Sequence, residues 1–376
     1  MLATIIIFII VLSLLVFVHE WGHFFVARKL GVKSEEFGIG YPTRIIGVYK
    51  NKKGKWSMAK GKKKVEDAQD TVYSLNWIPL GGFVKIKGED GENEKDKDSF
   101  AGKKAWKRAA ILSAGVSMNL VLAAVLLSVG LMLGLPQAAT GDFESGTQVS
   151  DQKVTVLKVF PETPAKEAEI KMGDVILGIN GQELNSSEQV NQFIKDKKGE
   201  KLTYKIKRGE EVLHKKITPE TIEKNGETGI GIAITNTAIV KYPWYRAVWK
   251  GVKETVILTG AIIVALVGLV KDLIMGQSVA AEVGGPVRIA ALTGQFANLG
   301  FAYLLQFTAL LSINLAIINF LPIPALDGGR VLFLIIEKIK GSPVKKEVEA
   351  LIHNLSFILL IILILIITFN DIVNLI

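Results

Sequence analysis

Four long apolar runs, separated by polar segments, are the main pattern of the sequence. They cover residues 2–18, 109–133, 299–321 and 357–369, and a short apolar stretch at 352–355 precedes the last run. A helix that crosses a bilayer needs about 20 predominantly apolar residues. The pattern therefore predicts four transmembrane helices.

A fifth apolar run, at residues 255–270, has two interpretations. It covers roughly 16 residues, which is short for a crossing helix. Charged residues flank it, Lys253 and Glu254 before and Lys271 and Asp272 after. The run is compatible with a span and with a helix that lies in the membrane interface.

The polar segment at 28–108 is rich in lysine, with clusters at 50–64 and 103–108. Basic segments beside membrane spans are typically cytoplasmic, so we expect this segment inside the cell. Two stretches in it, residues 37–42 and 79–88, are bounded by glycine and rich in β-forming residues. They predict the strands of a hairpin.

The segment at 136–241 is charge-balanced and has short alternating stretches. The strings PETPA at 161–165 and IKMGDVILGING at 170–181 resemble the core of a PDZ domain. The resemblance implies a helix at 188–195 beside a peptide groove. In the circularly permuted bacterial arrangement the carboxylate-binding loop comes last, and its residues would be Gly229, Ile230, Gly231 and Ile232. A terminal strand that binds no ligand is the alternative.

Composition supports a membrane protein and limits its chemistry. The chain has 376 residues, of which 49% are hydrophobic, and its mean hydropathy is +0.35. Because there is no cysteine, disulfides and thiolate metal sites are excluded. The net charge of +9 is concentrated beside the spans, where it sets topology, and we expect no nucleic-acid partner.

The strongest chemical signal is the string His19-Glu20-Trp21-Gly22-His23 at the end of the first apolar run. On a helix, two histidines four residues apart lie on one face at the spacing that zinc requires, and the glutamate between them serves as a base. At 1.5 Å per residue, His19 lies about 26 Å along a helix that starts at Leu2. The motif is therefore expected at membrane depth, and we expect the run to be retained, since it lacks the features of a cleaved signal peptide.

A catalytic zinc needs a third protein ligand and an open position. The string NFLPIPALDGG at 319–329 contains the best candidate, Asp327, which follows an apolar run broken by two prolines. If Asp327 and the histidines share a metal, both motifs lie on the cytoplasmic side. The run at 255–270 then cannot cross, and we predict an interfacial helix there.

These motifs together resemble the site-2 protease family, peptidase M50, and its bacterial RseP/RasP type of intramembrane metalloprotease. The residues that carry the resemblance are HExxH at 19–23, GGFVKIKG at 81–88, the PDZ-like segment, GGPV at 284–287 and NxLPxPxxDGG at 319–329. The resemblance implies zinc on His19, His23 and Asp327, with Glu20 as general base. It also implies that Asn319 assists substrate placement.

The resemblance further implies that residues 79–88 form a membrane-reentrant β-hairpin. As an exposed edge, this stretch would hold an extended substrate by strand addition. The residues of that edge are Gly81, Gly82, Phe83, Val84, Lys85 and Ile86. A plain cytosolic hairpin is the alternative.

The expected fold is a multi-pass α-helical membrane protein with four transmembrane helices, the reentrant hairpin and one inserted extracytoplasmic PDZ-like domain. The expected regions are an N-terminal membrane half at 1–135, the PDZ-like domain at 136–241, an interfacial helix and connector at 242–298, and a C-terminal membrane half at 299–376.

The implied function is that of an intramembrane zinc endopeptidase in the bacterial cell membrane, with its active site near the cytoplasmic side. Its substrates would be transmembrane segments of single-span proteins, such as anti-sigma factors or remnant signal peptides, cut in regulated intramembrane proteolysis. Its other partners would be the lipid bilayer and a peptide or protein C-terminus at the PDZ-like domain. An inactive membrane-anchored PDZ scaffold and a proton-relay transporter are the alternatives.

Overall fold

The computed structural model describes residues 2–61, 65–91, 94–138, 147–195, 197–209, 211–221, 228–276, 284–342 and 344–373. The helices are α1 (Leu2–Lys29), α2 (Ala105–Leu112), α3 (Ala114–Leu133), α4 (Pro164–Glu167), α5 (Ser187–Lys195), α6 (Trp244–Ile274), α7 (Pro286–Leu299), α8 (Phe301–Phe320), α9 (Asp327–Lys340) and α10 (Lys346–Val373). The strands are β1 (Ser34–Lys50), β2 (Trp56–Lys60), β3 (Val72–Ile86), β4 (Leu135–Ala138), β5 (Gln148–Val159), β6 (Val175–Ile179), β7 (Gln182–Glu183), β8 (Leu202–Arg208), β9 (Glu211–Ile217), β10 (Glu220–Thr221), β11 (Thr228–Gly229) and β12 (Ile232–Lys241).

In the described ranges, five helical segments are long and apolar enough to cross a membrane: α1, α2 with α3, α6, α8 and α10. They mark the chain as a membrane protein. The four predicted spans are among them, and the second is interrupted at Ser113. The fifth apolar run lies in the 31-residue helix α6, which is long enough to cross or to lie in the interface. The four-span arrangement stays a prediction.

The chain forms two compact units. Unit 1 comprises Met1–Leu126, Gly251–Gly294 and Phe307–Ile376, and unit 2 comprises Leu127–Lys250 and Gln295–Gln306.

In unit 1, helix α1 buries only one face. Its buried residues are Val11, Leu15, His19, Gly22, His23 and Ala27. Their spacing of three or four residues is that of a single helical stripe, so both histidines face inward with the packed residues. The opposite face exposes apolar side chains, as lipid contact requires.

A three-stranded antiparallel sheet in the order β2-β1-β3 packs beside α1. Both β1 and β3 fold back on themselves, so Phe37 pairs with Val84 in the second half of β3 and with Tyr73 in the first half. The two stretches predicted as strands, residues 37–42 and 79–88, lie largely within β1 and β3. Their position relative to the membrane stays a prediction.

Unit 2 contains a seven-stranded sheet in the order β4-β12-β5-β6-β8-β9, with β7 paired to β6. Its apolar core includes Val154, Ile176, Ile179, Leu202 and Ile206, together with Val190 from α5. Helix α5 coincides with the helix expected at 188–195.

The turn of the GDVILGING string explains two of its residues. Asn180 and Gly181 have φ values of 51° and 83°, as a two-residue hairpin turn between β6 and β7 requires.

The Asp174 carboxylate is buried and accepts two hydrogen bonds of 2.7 Å from Arg208, which raise the pKa of the Arg208 guanidinium.

Candidate active site

The two histidines of α1 are buried where α1 and α3 approach each other closely. A Cβ atom on Gly22 would lie 2.5 Å from the Ala114 carbonyl oxygen, and one on Gly115 would lie 2.4 Å from His23 Nε2. Only glycine fits at these positions. Small residues at a helix contact in a membrane protein allow this approach, which brings α3 against both imidazole rings.

Three side chains of unit 1 converge at this point: His19, His23 and Asp327. Asp327 Oδ2 lies 2.9 Å from His19 Nε2 and 3.3 Å from His23 Nε2, and the two Nε2 atoms are 3.1 Å apart. A tetrahedral zinc with bonds of about 2.0–2.1 Å would place its ligand atoms about 3.4 Å apart. The donor types and spacing therefore fit a zinc ion.

Asp327 is the most exposed of the three side chains. The histidine side chains are 8% and 9% exposed, whereas that of Asp327 is 22% exposed. The histidines are therefore the more deeply buried part of the cluster.

Asp327 is delivered by the tight loop between α8 and α9. A Cβ on Gly328 would lie 2.2 Å from the Phe320 carbonyl oxygen, and a Cβ on Gly329 would lie 2.2 Å from that of Ile323. The two glycines after the aspartate are therefore required by the close approach of the backbone. His353 on α10 donates from Nδ1 to the Pro324 carbonyl oxygen at 2.8 Å and holds the same loop.

The outer nitrogens of both imidazoles also have polar neighbours. His23 Nδ1 donates to the Ile111 carbonyl oxygen at 2.8 Å. His19 Nδ1 lies 3.3 Å from the Asn119 side-chain amide. A ring nitrogen that is held in this way fixes the orientation of the imidazole and directs the other nitrogen to a metal.

Glu20 lies beside the histidines and is held by the sheet. Its Oε2 accepts a hydrogen bond of 3.1 Å from the backbone N–H of Val84 in β3. The contact fixes one carboxylate oxygen of Glu20 to the strand.

The other residues of the predicted edge have packing roles. A Cβ on Gly81 would lie 2.5 Å from the Val16 side chain, so this glycine lets β3 approach α1. Lys85 forms an ion pair of 2.8 Å with Glu35, and Ile86 is buried in a core cluster. Gly82 pairs with Ile39 and Phe83 with Gly38 across the sheet. Their proposed contact with a substrate stays a prediction.

Asn319 lies in the last turn of α8 and is partly exposed. Its substrate role also stays a prediction.

An apolar cavity of about 310 Å³ lies between α1 and the sheet. Its lining includes Phe17, Phe37, Ile39, Val48 and Leu75.

Ion pairs on the polar side of unit 1 hold α9 and the loop after β3. Arg330, one turn after Asp327, pairs with Glu89, and Arg108 pairs with Glu337 at 3.2 Å. Lys87 lies 2.7 Å from Asp98, and this hydrogen bond lowers the pKa of the Asp98 carboxyl.

Sequence reasoning missed the contacts of three residues. The three residues are Asn119, His353 and Ile111, and the sequence motifs include none of them. A carbonyl acceptor leaves no sequence signal. The polar side chains inside apolar runs were the available signal for Asn119 and His353.

In unit 2, the predicted carboxylate loop is a tight connection between β11 and β12. Gly231 has φ +80°, and a Cβ there would lie 2.3 Å from the Thr163 side chain. The carbonyl oxygen of Ile230 accepts from Ala165 N at 2.9 Å, and that of Gly231 accepts from Phe160 N at 3.0 Å. These bonds tie the loop to the PETPA segment.

Comparison with known proteins gives a consistent result along the whole chain. The profile of Peptidase family M50 matches residues 7–62 and 59–363. The chain is 30% identical to the regulator of sigma-W protease RasP of Bacillus subtilis, over 98% of this chain and 98% of that protein. It is 29% identical to zinc metalloprotease RasP of Geobacillus kaustophilus, over 99% and 98% of the two chains.

Among solved structures, a PDZ domain of an SdrC-like protein from Listeria innocua is 35% identical over 22% of this chain and 92% of that chain, with a TM-score of 0.21. A score this low does not show a shared fold.

Proposed function

The chain belongs to peptidase family M50 and is a zinc metalloprotease of the site-2 protease type, and from this premise we propose that it cleaves transmembrane segments of single-span membrane proteins. One observation carries the proposal: His19, His23 and Asp327 converge, with Glu20 beside them, on or next to helices that are apolar enough to cross a membrane. A hydrolytic site in that setting acts on peptide bonds that lie in the membrane.

His19, His23 and Asp327 are the proposed zinc ligands. Three protein ligands leave one position open, as in catalytic zinc sites. When bound, zinc supplies a Lewis acid that polarises a carbonyl group and lowers the pKa of water.

Glu20 is the proposed general base. It accepts a proton from the attacking water and then donates it to the amine that leaves when the peptide bond breaks. The hydrogen bond from Val84 N–H fixes one carboxylate oxygen, and the other oxygen is the proposed proton acceptor. Geometry of this kind keeps the base in place before the substrate arrives.

The substrate must present an extended backbone, because a helix hides its carbonyl groups in internal hydrogen bonds. The second half of β3 pairs with β1 on one side only. We expect an unwound substrate segment to add along residues 81–86 through backbone groups other than the N–H groups of Gly81 and Val84, which donate to Ser13 and Glu20 of α1. Asn319 assists its placement, and the apolar cavity beside Phe17 can take an apolar side chain.

The PDZ-like assignment of unit 2 is part of the proposal. It is supported by helix α5, by the hairpin at Asn180-Gly181 and by the left-handed conformation of Gly231, which follow one another in the order that the sequence resemblance implies. The loop at 229–232 is the proposed site for a C-terminal carboxylate, and the domain selects substrates by docking or by size. The B. subtilis relative is named a regulator of sigma-W protease, which supports anti-sigma factors or similar single-span proteins as the substrate class.

The test of the catalytic proposal uses purified full-length protein and a single-span substrate. The Glu20→Gln variant should keep stoichiometric zinc but lose cleavage by a factor on the order of 100–10,000, because only the base is removed. The Asp327→Ala variant should lose zinc as well. Undiminished cleavage by the Glu20 variant would refute its role, and a zinc-free active wild-type protein would refute the ligand set.

The orientation is proposed with the active site near the cytoplasm of a bacterial cell and unit 2 outside. This orientation requires four transmembrane helices, with α6 lying in the membrane interface. The natural chain has no cysteine, so single cysteines can report accessibility without background. In intact cells, Asp70→Cys should be shielded from an impermeant thiol reagent and Glu200→Cys labelled. The reverse pattern would overturn the orientation.

A further inference from the structure

The two candidate ligand imidazoles differ in how their outer nitrogens are held. His23 Nδ1 faces the Ile111 carbonyl oxygen at 2.8 Å. A carbonyl can only accept, so His23 carries its proton on Nδ1 and directs the Nε2 lone pair toward Asp327 and His19. This is the tautomer that a metal ligand needs.

For His19, the corresponding neighbour is Asn119. Its side-chain nitrogen lies 3.3 Å from His19 Nδ1, and Asn119 is fully buried. Its Oδ1 is buried and has no hydrogen-bond partner. The side-chain amide of Asn119 can either donate to His19 Nδ1 or accept from it. The orientation of this amide therefore decides which nitrogen of His19 carries the proton.

With the nitrogen toward His19, Nδ1 would accept and the proton of the neutral ring would lie on Nε2. That proton would point at Asp327 and occupy the direction of a metal bond. A half turn of the amide exchanges its two ends, so that Oδ1 accepts from Nδ1–H and the lone pair of Nε2 becomes free. The half turn also gives the unpartnered Oδ1 the partner that it lacks.

The backbone holds Asn119 in place for this role. The Ser312 hydroxyl on α8 donates to the Asn119 carbonyl oxygen at 2.8 Å. One turn earlier on α3, Gly115 allows the helix to approach the imidazoles. The same close approach therefore brings the Asn119 amide within reach of His19.

We infer that Asn119 is a positioning residue, which accepts a hydrogen bond from His19 Nδ1 and so holds the ring in the tautomer and orientation that zinc binding requires. The inference rests on the ligand set proposed above. It replaces a packing role for Asn119, and the two roles differ in what a substitution of equal size does.

The test measures zinc affinity in full-length protein in detergent, by competition with a chromophoric chelator. Asn119→Leu keeps the volume and removes the acceptor, so the affinity should fall about 10–100-fold. Asn119→Asp keeps an acceptor and should stay within about threefold of wild type, because only the outer hydrogen bond is at issue. Asn314→Leu, on α8 and with its amide bonded to Leu310 within its own helix, is the matched control and should not change the affinity.

The visible absorption of the cobalt-substituted protein gives a second readout that packing alone would not move. It should change in Asn119→Leu and not in Asn119→Asp. If the leucine variant does not fold, Asn119→Ala against Asn119→Asp makes the same comparison.

Equal affinities of wild type and Asn119→Leu would overturn the inference, as would an aspartate variant as weak as the leucine variant. A wild-type protein without stoichiometric zinc would overturn the ligand set and the inference together. Zinc binding that depends on Asp327 but not on Asn119 would overturn the inference alone.

Discussion

In unit 2, the core consists mainly of apolar side chains such as Val154 and Leu202, each with no exposed surface. In unit 1, helices α6 and α10 expose apolar side chains, with Val264 72% and Leu359 58% exposed, whereas His19 and Asn119 are buried. The first arrangement is that of a domain in water. The second suits lipid, because a bilayer surrounds apolar faces without cost and leaves polar groups to gather inside.

The difference shows which interactions determine the interior of each unit. Unit 2 is organised by an apolar core, so its interior tolerates exchanges of similar volume. The interior of unit 1 around His19 and His23 is organised by hydrogen bonds and by glycines that allow close backbone approach, so single atoms matter there. Matched glycine substitutions in the two units test this comparison.

The largest effect is expected for Gly115→Ala in unit 1. The added methyl group would lie 2.4 Å from His23 Nε2 and 2.6 Å from His19 Nε2, so α3 must move away or the rings must turn. Zinc affinity should fall by a factor on the order of 100 or more. Zinc content and chelator competition measure it.

The control is Gly260→Ala on α6, where a Cβ would meet nothing within 4 Å. It should leave zinc binding intact. Equal zinc affinities in both variants would contradict the conclusion that the site depends on the close approach of α3 to the two imidazoles.

A smaller effect, confined to unit 2, is expected for Gly231→Ala. The residue has φ +80°, and the new Cβ would lie 2.3 Å from the Thr163 side chain. Strain and overlap together should cost roughly 2–4 kcal/mol of unfolding free energy. Hydrogen exchange of the unit 2 amides should accelerate, while zinc affinity stays unchanged.

Gly199→Ala separates the two causes, because Gly199 has φ +79° but nothing within 4 Å of a Cβ. It should cost only the strain, about 1–2 kcal/mol. A loss of zinc in Gly231→Ala would contradict the independence of the two regions.

The smallest effect is expected for Tyr204→Phe in the core of unit 2. The Tyr204 hydroxyl is buried without a hydrogen-bond partner, so its removal should stabilise unit 2 by about 1 kcal/mol. Hydrogen exchange of the β8 amides measures it. A destabilised phenylalanine variant would show that the hydroxyl has a partner.

The same variant has a pH signature. Burial raises the pKa of Tyr204, so the folded state favours the neutral phenol. In the unfolded chain, tyrosine has a pKa of about 10. The contribution of Tyr204 to the stability of the wild-type fold is therefore present below about pH 10 and is lost as the pH rises above it. The advantage of the phenylalanine variant should widen above about pH 10.

Local patterns predicted the parts of the structure that depend on one segment. The spacing of His19 and His23 places them on one face of α1, and the two prolines and two glycines around Asp327 mark a loop between helices. Helix α5 was expected from its sequence within one residue at its start.

One feature that depends on two segments, the approach of Asp327 to the two histidines, was predicted from the paired motifs, whereas others were not. The doubling of β1 and β3 arises because both long strands bend at central glycine and proline residues and then pair twice with each other. The contact of Asn119 with His19 depends on how closely two helices approach, which the sequence of one helix does not reveal. Helix α6 runs from Trp244 to Ile274 and so begins well before its apolar run at 255–270.

The contact between Glu20 and the Val84 N–H has a genetic consequence. The Val84 group that contacts Glu20 is its main-chain N–H, so a scan that replaces side chains would report only the packing of Val84 against its core cluster. Among the coded residues, only proline removes the donor. The hydrogen bond that holds the proposed base is therefore invisible to ordinary mutagenesis, and an amide-to-ester replacement at this position would be needed to detect it.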